Sequence, residues 1–221
     1  MFINEIIKNI DFFKNLSENQ IELISSISVI TKYSSNSILY YESETKTNLL
    51  FLVEGLLKIY KVDKYGNEVF LYNVYKNSMI SEISSLNSDQ IFCFSNAEFL
   101  YDSIVLSVNF QKLQELFLSK NILTTELIDI LLRKNHQLQC IVNRELVFDA
   151  TAKVAFMLKQ DLEIFNKLKR QDVSFMLHIQ PATLSRVLQR LVREQIIMID
   201  NNEVIIKDES ALESIFKGTA I

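Results

Sequence analysis

The sequence predicts an α+β chain in three parts: a strand-rich roll over 1–110, a long helix over 111–147 and a helix-turn-helix with a strand hairpin over 148–221. Three observations carry this. Between residues 31 and 110, short β-prone runs alternate with turn signals, as in a sandwich or barrel-like roll. From Gln111 to Leu168 no Pro or Gly interrupts a helical pattern. Beyond it come a short helix, a tight turn, a longer helix opened by Pro181, and two short strands about Asn201-Asn202.

Composition narrows the function. The chain has 221 residues, 48% apolar and 23% charged, enough for one large domain or two modest ones, with two favoured, and unlike a disordered chain. Three glycines (Gly55, Gly66, Gly218) exclude a Gly-rich phosphate cradle. Two cysteines, Cys93 and Cys140, are too few for a disulfide scaffold or an all-cysteine zinc or iron–sulfur site within one chain, and two histidines, His136 and His178, argue against a multi-histidine metal centre. With no nucleophile motif and histidines far apart, an enzyme is not expected. Charges at Glu5, Lys8, Asp11 and Lys14 break up Met1–Lys14, which is no signal peptide. The apolar runs are too short to span a membrane, so a cytoplasmic protein without membrane contact is expected.

In the first part, Ser17 and Gln20 suit a capping box, and Leu23, Ile27 and Ile30 recur at i, i+4 and i+7 of a helix. Strands are expected at 38–41, 49–53, 56–62, 69–75, 90–94 and 99–106. Gly66 would take a positive φ at a hairpin tip. In the second part, a heptad frame puts Ile128, Asn135 and Val142 at one seam position and Leu131, Leu138 and Glu145 at the other. The pattern fits a dimer seam with Asn135 setting register and Glu145 as a flaw. The alternative is one amphipathic helix packed on its own domain.

The third part carries a local charge signal. Residues 1–148 hold 13 basic and 17 acidic side chains, and residues 149–221 hold 10 of each. Within it, Lys167 to Arg193 has six basic side chains against Asp172 alone. Helices are expected at 172–177 and at Pro181–Arg193, with Pro181 in the first turn. Leu184, Val187, Leu188 and Leu191 then form a buried stripe. Opposite them fall Ala182, Ser185, Arg186, Gln189 and Arg193. Hydroxyl, amide and guanidinium groups without an intervening acid suit phosphates and base edges of double-stranded DNA better than a solvated helix face. Gln180 and Pro181 begin this segment, and Arg170, Thr183 and Arg190 fit flanking phosphates.

These segments resemble the Crp–Fnr family of bacterial transcription regulators over nearly the whole chain. The resemblance rests on 32–39, 50–59, Asp63-Lys-Tyr-Gly-Asn-Glu68 and 79–86, then on Phe148-Asp-Ala-Thr-Ala-Lys-Val-Ala155, 170–173 and Ala182-Thr-Leu-Ser-Arg-Val187. It implies a cyclic-nucleotide-binding-like β-roll, a dimerisation helix and a C-terminal winged helix, in a homodimer that binds a near-palindrome and engages RNA polymerase. The departures are informative. Relatives that bind cyclic AMP carry Gly-Glu-Leu and then an Arg-Ser pair. Here stand Ser81-Glu82-Ile83 and Ile91-Phe92-Cys93-Phe94, with no arginine from Met1 to Leu132. A buried cyclic phosphate would lack its guanidinium, and Glu82 reads equally as a structural acid. The N-terminal cysteine cluster of oxygen-sensing relatives is absent as well. Haem held by His136, near Cys140, is the open cofactor alternative, with a haem- or small-molecule-dependent sensor as the alternative function. Ser185-Arg186 match the Fnr-like branch, in which nitrosative or respiratory stress is a common signal. Ala182 replaces a frequent Glu, which shifts the expected half-site toward A·T.

Overall fold

The computed structural model describes residues 3–217. Met1 and Gly218, named above, lie outside the described residues. The chain packs as two units, Met1–His136 and Gln137–Ile221, which part within one long helix.

The first unit opens with helices α1 (Ile3–Lys8) and α2 (Glu18–Ser26). Ser17 N–H donates to Gln20 Oε1 at 2.8 Å, which supplies one arm of the expected capping box. Ten strands follow: β1 (Ser28–Tyr33), β2 (Ile38–Tyr40), β3 (Thr45–Lys46), β4 (Asn48–Glu54), β5 (Leu57–Val62), β6 (Glu68–Val74), β7 (Ser78–Met79), β8 (Ile91–Phe92), β9 (Asn96–Phe99) and β10 (Ser103–Asn109). They form two four-stranded antiparallel sheets, β1-β10-β4-β7 and β2-β9-β5-β6, and the small pair β3-β8.

Strand β4 shows how the roll is held. Its Leu49, Phe51 and Val53 join Phe12, Phe13 and Phe110 in one core, under the N-terminal helices. Its Leu50 and Leu52 join Leu57, Ile59 and Phe99 in another, between the sheets. A strand covered on both faces has to be apolar throughout, and this explains the unbroken run in the sequence. At the β5–β6 hairpin Gly66 has φ +85°, and Asp63 Oδ1 accepts from the Tyr65 and Asn67 N–H groups at 2.8 and 2.9 Å.

Four expectations are corrected here. The helical run through Ile30 stops at Ser26, because Ile30 pairs with Leu106 in the β1–β10 ladder. The run at 99–106 divides at Leu100–Asp102, because β9 and β10 belong to different sheets. Of 90–94 only Ile91–Phe92 is a strand. The helix expected over 111–147 breaks into α3 (Phe110–Leu116) and α4 (Thr124–Leu146). Asn121 and Leu123 turn the chain with φ +58° and +66°. Phe117 and Leu123 bury in the helix-covered core, and that burial offsets the roughly 1–2 kcal/mol cost of a left-handed residue.

The second unit holds α5 (Ala150–Lys167), α6 (Arg170–Met176), α7 (Pro181–Arg193), β11 (Ile197–Asp200), β12 (Glu203–Ile206) and α8 (Glu209–Lys217). Asp149 caps α5, its Oδ1 accepting from Ala152 N–H at 2.8 Å. A non-helical Asp161 kinks α5. The hairpin turns on Asn201 and Asn202, both at positive φ (46° and 69°), as a two-residue hairpin of the favoured hand requires. The last helix, α8, was not expected. It packs on α5 through Phe148, Phe156 and Phe216, and Lys159 lies 2.7 Å from Glu213.

Candidate nucleic-acid interface

Helix α7 presents the predicted two faces. Leu184, Val187, Leu188 and Leu191 are buried among Val154, Leu158 and Val173. Ala182, Ser185, Arg186, Gln189, Arg190 and Arg193 are exposed, and Thr183 is half-buried. Pro181 takes the first helical position, where its missing N–H costs nothing. Exposed Gln180 precedes it as N-cap, its carbonyl accepting from Thr183 and Leu184 N–H at 2.9 and 3.0 Å. Among the described residues Arg186 and Arg193 enter no ion pair, and Arg190 reaches Glu194 only at 3.9 Å. The polar groups of this face are therefore left for an outside partner.

Arg170, expected beside a phosphate, makes contacts within its own domain. Its guanidinium stacks on Phe165 at 4.6 Å and donates to the carbonyls of Phe165 (3.3 Å) and Asn202 (2.8 Å). It ties the start of α6 to the tip of the β11–β12 hairpin. Asn166 adds a two-way clamp on Val204 at 2.9 and 3.0 Å. The hairpin is thus a wing fixed by side chains of α5 and α6.

The turn between α6 and α7 closes on His178, with φ +52°. His178 N–H donates to Phe175 O and Ile179 N–H to Ser174 O, both at 3.0 Å, the pairing that ends a helix on a left-handed residue. His178 Nδ1 lies 2.8 Å from Glu145 Oε2.

In the first unit, a polar cluster gathers about Glu82. The half-buried Glu82 carboxylate accepts from Tyr72 OH at 2.8 Å and from Phe94 N–H and Ser95 Oγ at 3.2 Å. Lys134 of α4 donates to Ile80 O at 3.4 Å. Burial pulls its ammonium down to about 8, against the pull of Glu82. Cys93 is buried, and that burial pushes its thiol up to about 11. The Cys140 thiol is raised by burial too, and His136 is exposed. The first arginine, Arg133, is exposed beside Asp11 at 3.8 Å.

On α4, the seam residues Ile128, Leu131, Leu138 and Val142 remain 52, 36, 55 and 48% exposed, and Asn135 is exposed with them. Packing on its own domain, the other reading of this stripe, does not cover it within one chain.

Fold and interface together define a helix-turn-helix DNA-binding regulator with a cyclic-nucleotide-binding-type β-roll. A family model described as the cyclic nucleotide-binding domain matches residues 30–120, and one described as the Crp-like helix-turn-helix domain matches residues 152–215. The chain belongs to the Crp–Fnr family of transcription regulators. Similar folds include a CooA mutant from Carboxydothermus hydrogenoformans (TM-score 0.73, 16% identity, 93% of this chain and 94% of that one). FixK2 from Bradyrhizobium japonicum is similar at TM-score 0.65 and 18% identity, over 86% of this chain and 97% of that one. So is CLP, a c-di-GMP responsive global regulator from Xanthomonas campestris, at TM-score 0.63 and 15% identity, over 86% and 99%. Comparison with curated proteins returns no match. No helix among the described residues is long and apolar enough to cross a membrane.

Proposed function

We propose that two copies of the chain pair through α4 and read a near-palindromic operator, one α7 per half-site, in the cytoplasm. The carrying observation is the exposed face of α7, whose hydroxyl, amide and guanidinium groups lie opposite a fully buried stripe. Arg186 reads a base, with Ser185 and Gln189 beside it, and Ala182 favours a thymine methyl. Gln180, Pro181, Thr183, Arg190 and Arg193 flank these contacts along the backbone. Arg170 serves by holding the wing. Ile128, Leu131, Asn135, Leu138 and Val142 form the seam, which accounts for an apolar stripe left in water. RNA polymerase is the further partner, and nitrosative or respiratory stress the setting.

The β-roll does not take a cyclic nucleotide in this reading. Glu82 is already paired with Tyr72, Ser95 and the Phe94 N–H, and no guanidinium is supplied before Arg133. The test is selection from a randomised duplex library by the purified full chain, with salt titrated. A selected near-palindrome with half-sites about 34 Å apart and a steep salt dependence is expected. Failure to select any sequence, with or without haem or nitric oxide, overturns the reading. A Soret band in the purified protein would turn it to the haem-dependent alternative.

A further inference from the structure

The seam of α4 ends on Glu145, an acid where the heptad calls for an apolar side chain. Its carboxylate gathers three basic groups from three elements. Arg144 Nε of α4 donates to Oε1 at 2.7 Å, Lys153 Nζ of α5 lies 3.5 Å from Oε2, and His178 Nδ1 of the α6–α7 turn lies 2.8 Å from Oε2. Lys153 is buried, so its ammonium relies on this acid, and His178 sits at a left-handed φ of +52°.

We infer that Glu145 is a positioning residue for α7: its bond to His178 sets the tilt of the recognition helix against the end of α4. The inference rests on the reading of α7 as the DNA-reading helix. Glycine or asparagine normally fills the left-handed position that closes such a turn. Histidine gives up that ease, and the local backbone bonds do not require an imidazole. The Glu145 contact does, since a shorter side chain would not span to α4. Leverage makes the contact matter. Helix α7 starts three residues after His178 and is 13 residues long, about 20 Å. A tilt of about 10° at the turn would move its far end by about 3 Å, well beyond the roughly 0.5 Å tolerance of a precise polar site. The selected sequence within a half-site depends on the α7 face itself, whereas the distance between half-sites depends on this tilt.

The experiment uses full-length wild type, Glu145→Gln and His178→Asn, with a library in which both half-sites and spacer length vary. Asn keeps the left-handed backbone but is too short to hold Glu145, so this variant stays informative if Glu145→Gln, with Lys153 uncompensated, fails to fold. Thermal melts report folding. The expected result is an unchanged half-site, a broadened spacer preference, and at least a tenfold loss of affinity for the best wild-type duplex. A simply destabilised domain would lose affinity at every spacing alike, and that outcome overturns the inference. So does a folded variant with wild-type spacing and affinity. If wild type itself selects nothing, the DNA-reading assignment of α7 falls, and the inference with it.

Discussion

The Glu82 cluster of the β-roll and the outer face of α7 treat their polar groups in opposite ways. In the β-roll, the Glu82 carboxylate is met by Tyr72, Ser95 and the Phe94 N–H, and Lys58 is held by Glu68 and Glu98 at 2.9 and 2.7 Å. On α7, Ser185, Arg186, Gln189 and Arg193 stand exposed. A paired group has little left to give an outside partner, whereas an exposed unpaired one forgoes no internal bond when it binds. The difference teaches where output lies: the outer face of α7 holds contacts in reserve, whereas the Glu82 and Lys58 clusters spend theirs within the fold.

The sharpest way to break this contrast is to disturb the strand unit and ask whether DNA reading follows. Gly55 has φ +100°, and a Cβ there would lie 2.0 Å from Ser103 Oγ. Gly55→Ala is expected to cost about 3 kcal/mol of β-roll stability, read as a lowered melting transition. The half-site selected by the surviving folded fraction stays the same. Next, Arg186→Ala should cost about 2 kcal/mol in operator affinity, relax selection at one base pair and leave the melting temperature unchanged. A uniform loss across sequences would make Arg186 a phosphate anchor instead. Tyr72→Phe removes one donor from Glu82 and should destabilise the roll by about 1.5 kcal/mol, with no change in DNA affinity in a binding titration.

The smallest effects are those of pH. Paired to Lys159 and Lys217, Glu213 is held down to about 2. Burial pushes Glu145 up, but hydrogen bonds from His178 and Arg144 outweigh it and hold the group below its ordinary value. Both carboxylates have lower values folded than unfolded, so their contribution is full above about 4.3 and fades as pH falls toward 2. Circular dichroism melts should show the helical unit weakening over that window, and Lys159→Met should flatten the response. Lys134 acts on the other unit. Its folded value of about 8 lies below an unfolded value near 10.4, so the buried ammonium opposes folding below pH 8. Cys93, raised to about 11, acts with the opposite sign over much of this window, so the Lys134 contribution is read as a difference: the stability of wild type relative to Lys134→Met should rise as pH climbs from 8 toward 10.4.

What the sequence made legible follows the same division. The bounds of α7 were readable because Pro181 fixes the start and the leucine spacing the buried side. The hairpin tips were readable because Gly66 and Asn201-Asn202 are residues that tolerate positive φ. The α3–α4 break was not, because Leu123, a residue with no preference for a left-handed backbone, is forced there by burial. The ties of Arg170 to Phe165 and Asn202 were not legible, because they come from tertiary packing. Glu145 read as a flaw in a seam because its partners lie 8 and 33 residues further along the chain.

Strand β4, apolar on both sides, has a consequence for how the protein is made. Its core Leu49-Leu50-Phe51-Leu52-Val53 is uncharged, β-prone and free of Pro, the composition of a segment that stacks with copies of itself. Its neighbour β10 leaves the ribosome about 50 residues later, roughly 3–10 s at ordinary synthesis rates. Through that interval the nascent chain carries a bare adhesive strand, with Glu54 at its edge as the lone gatekeeping charge. Expression yield should therefore follow growth temperature and chaperone supply more closely than it follows the stability of the finished fold.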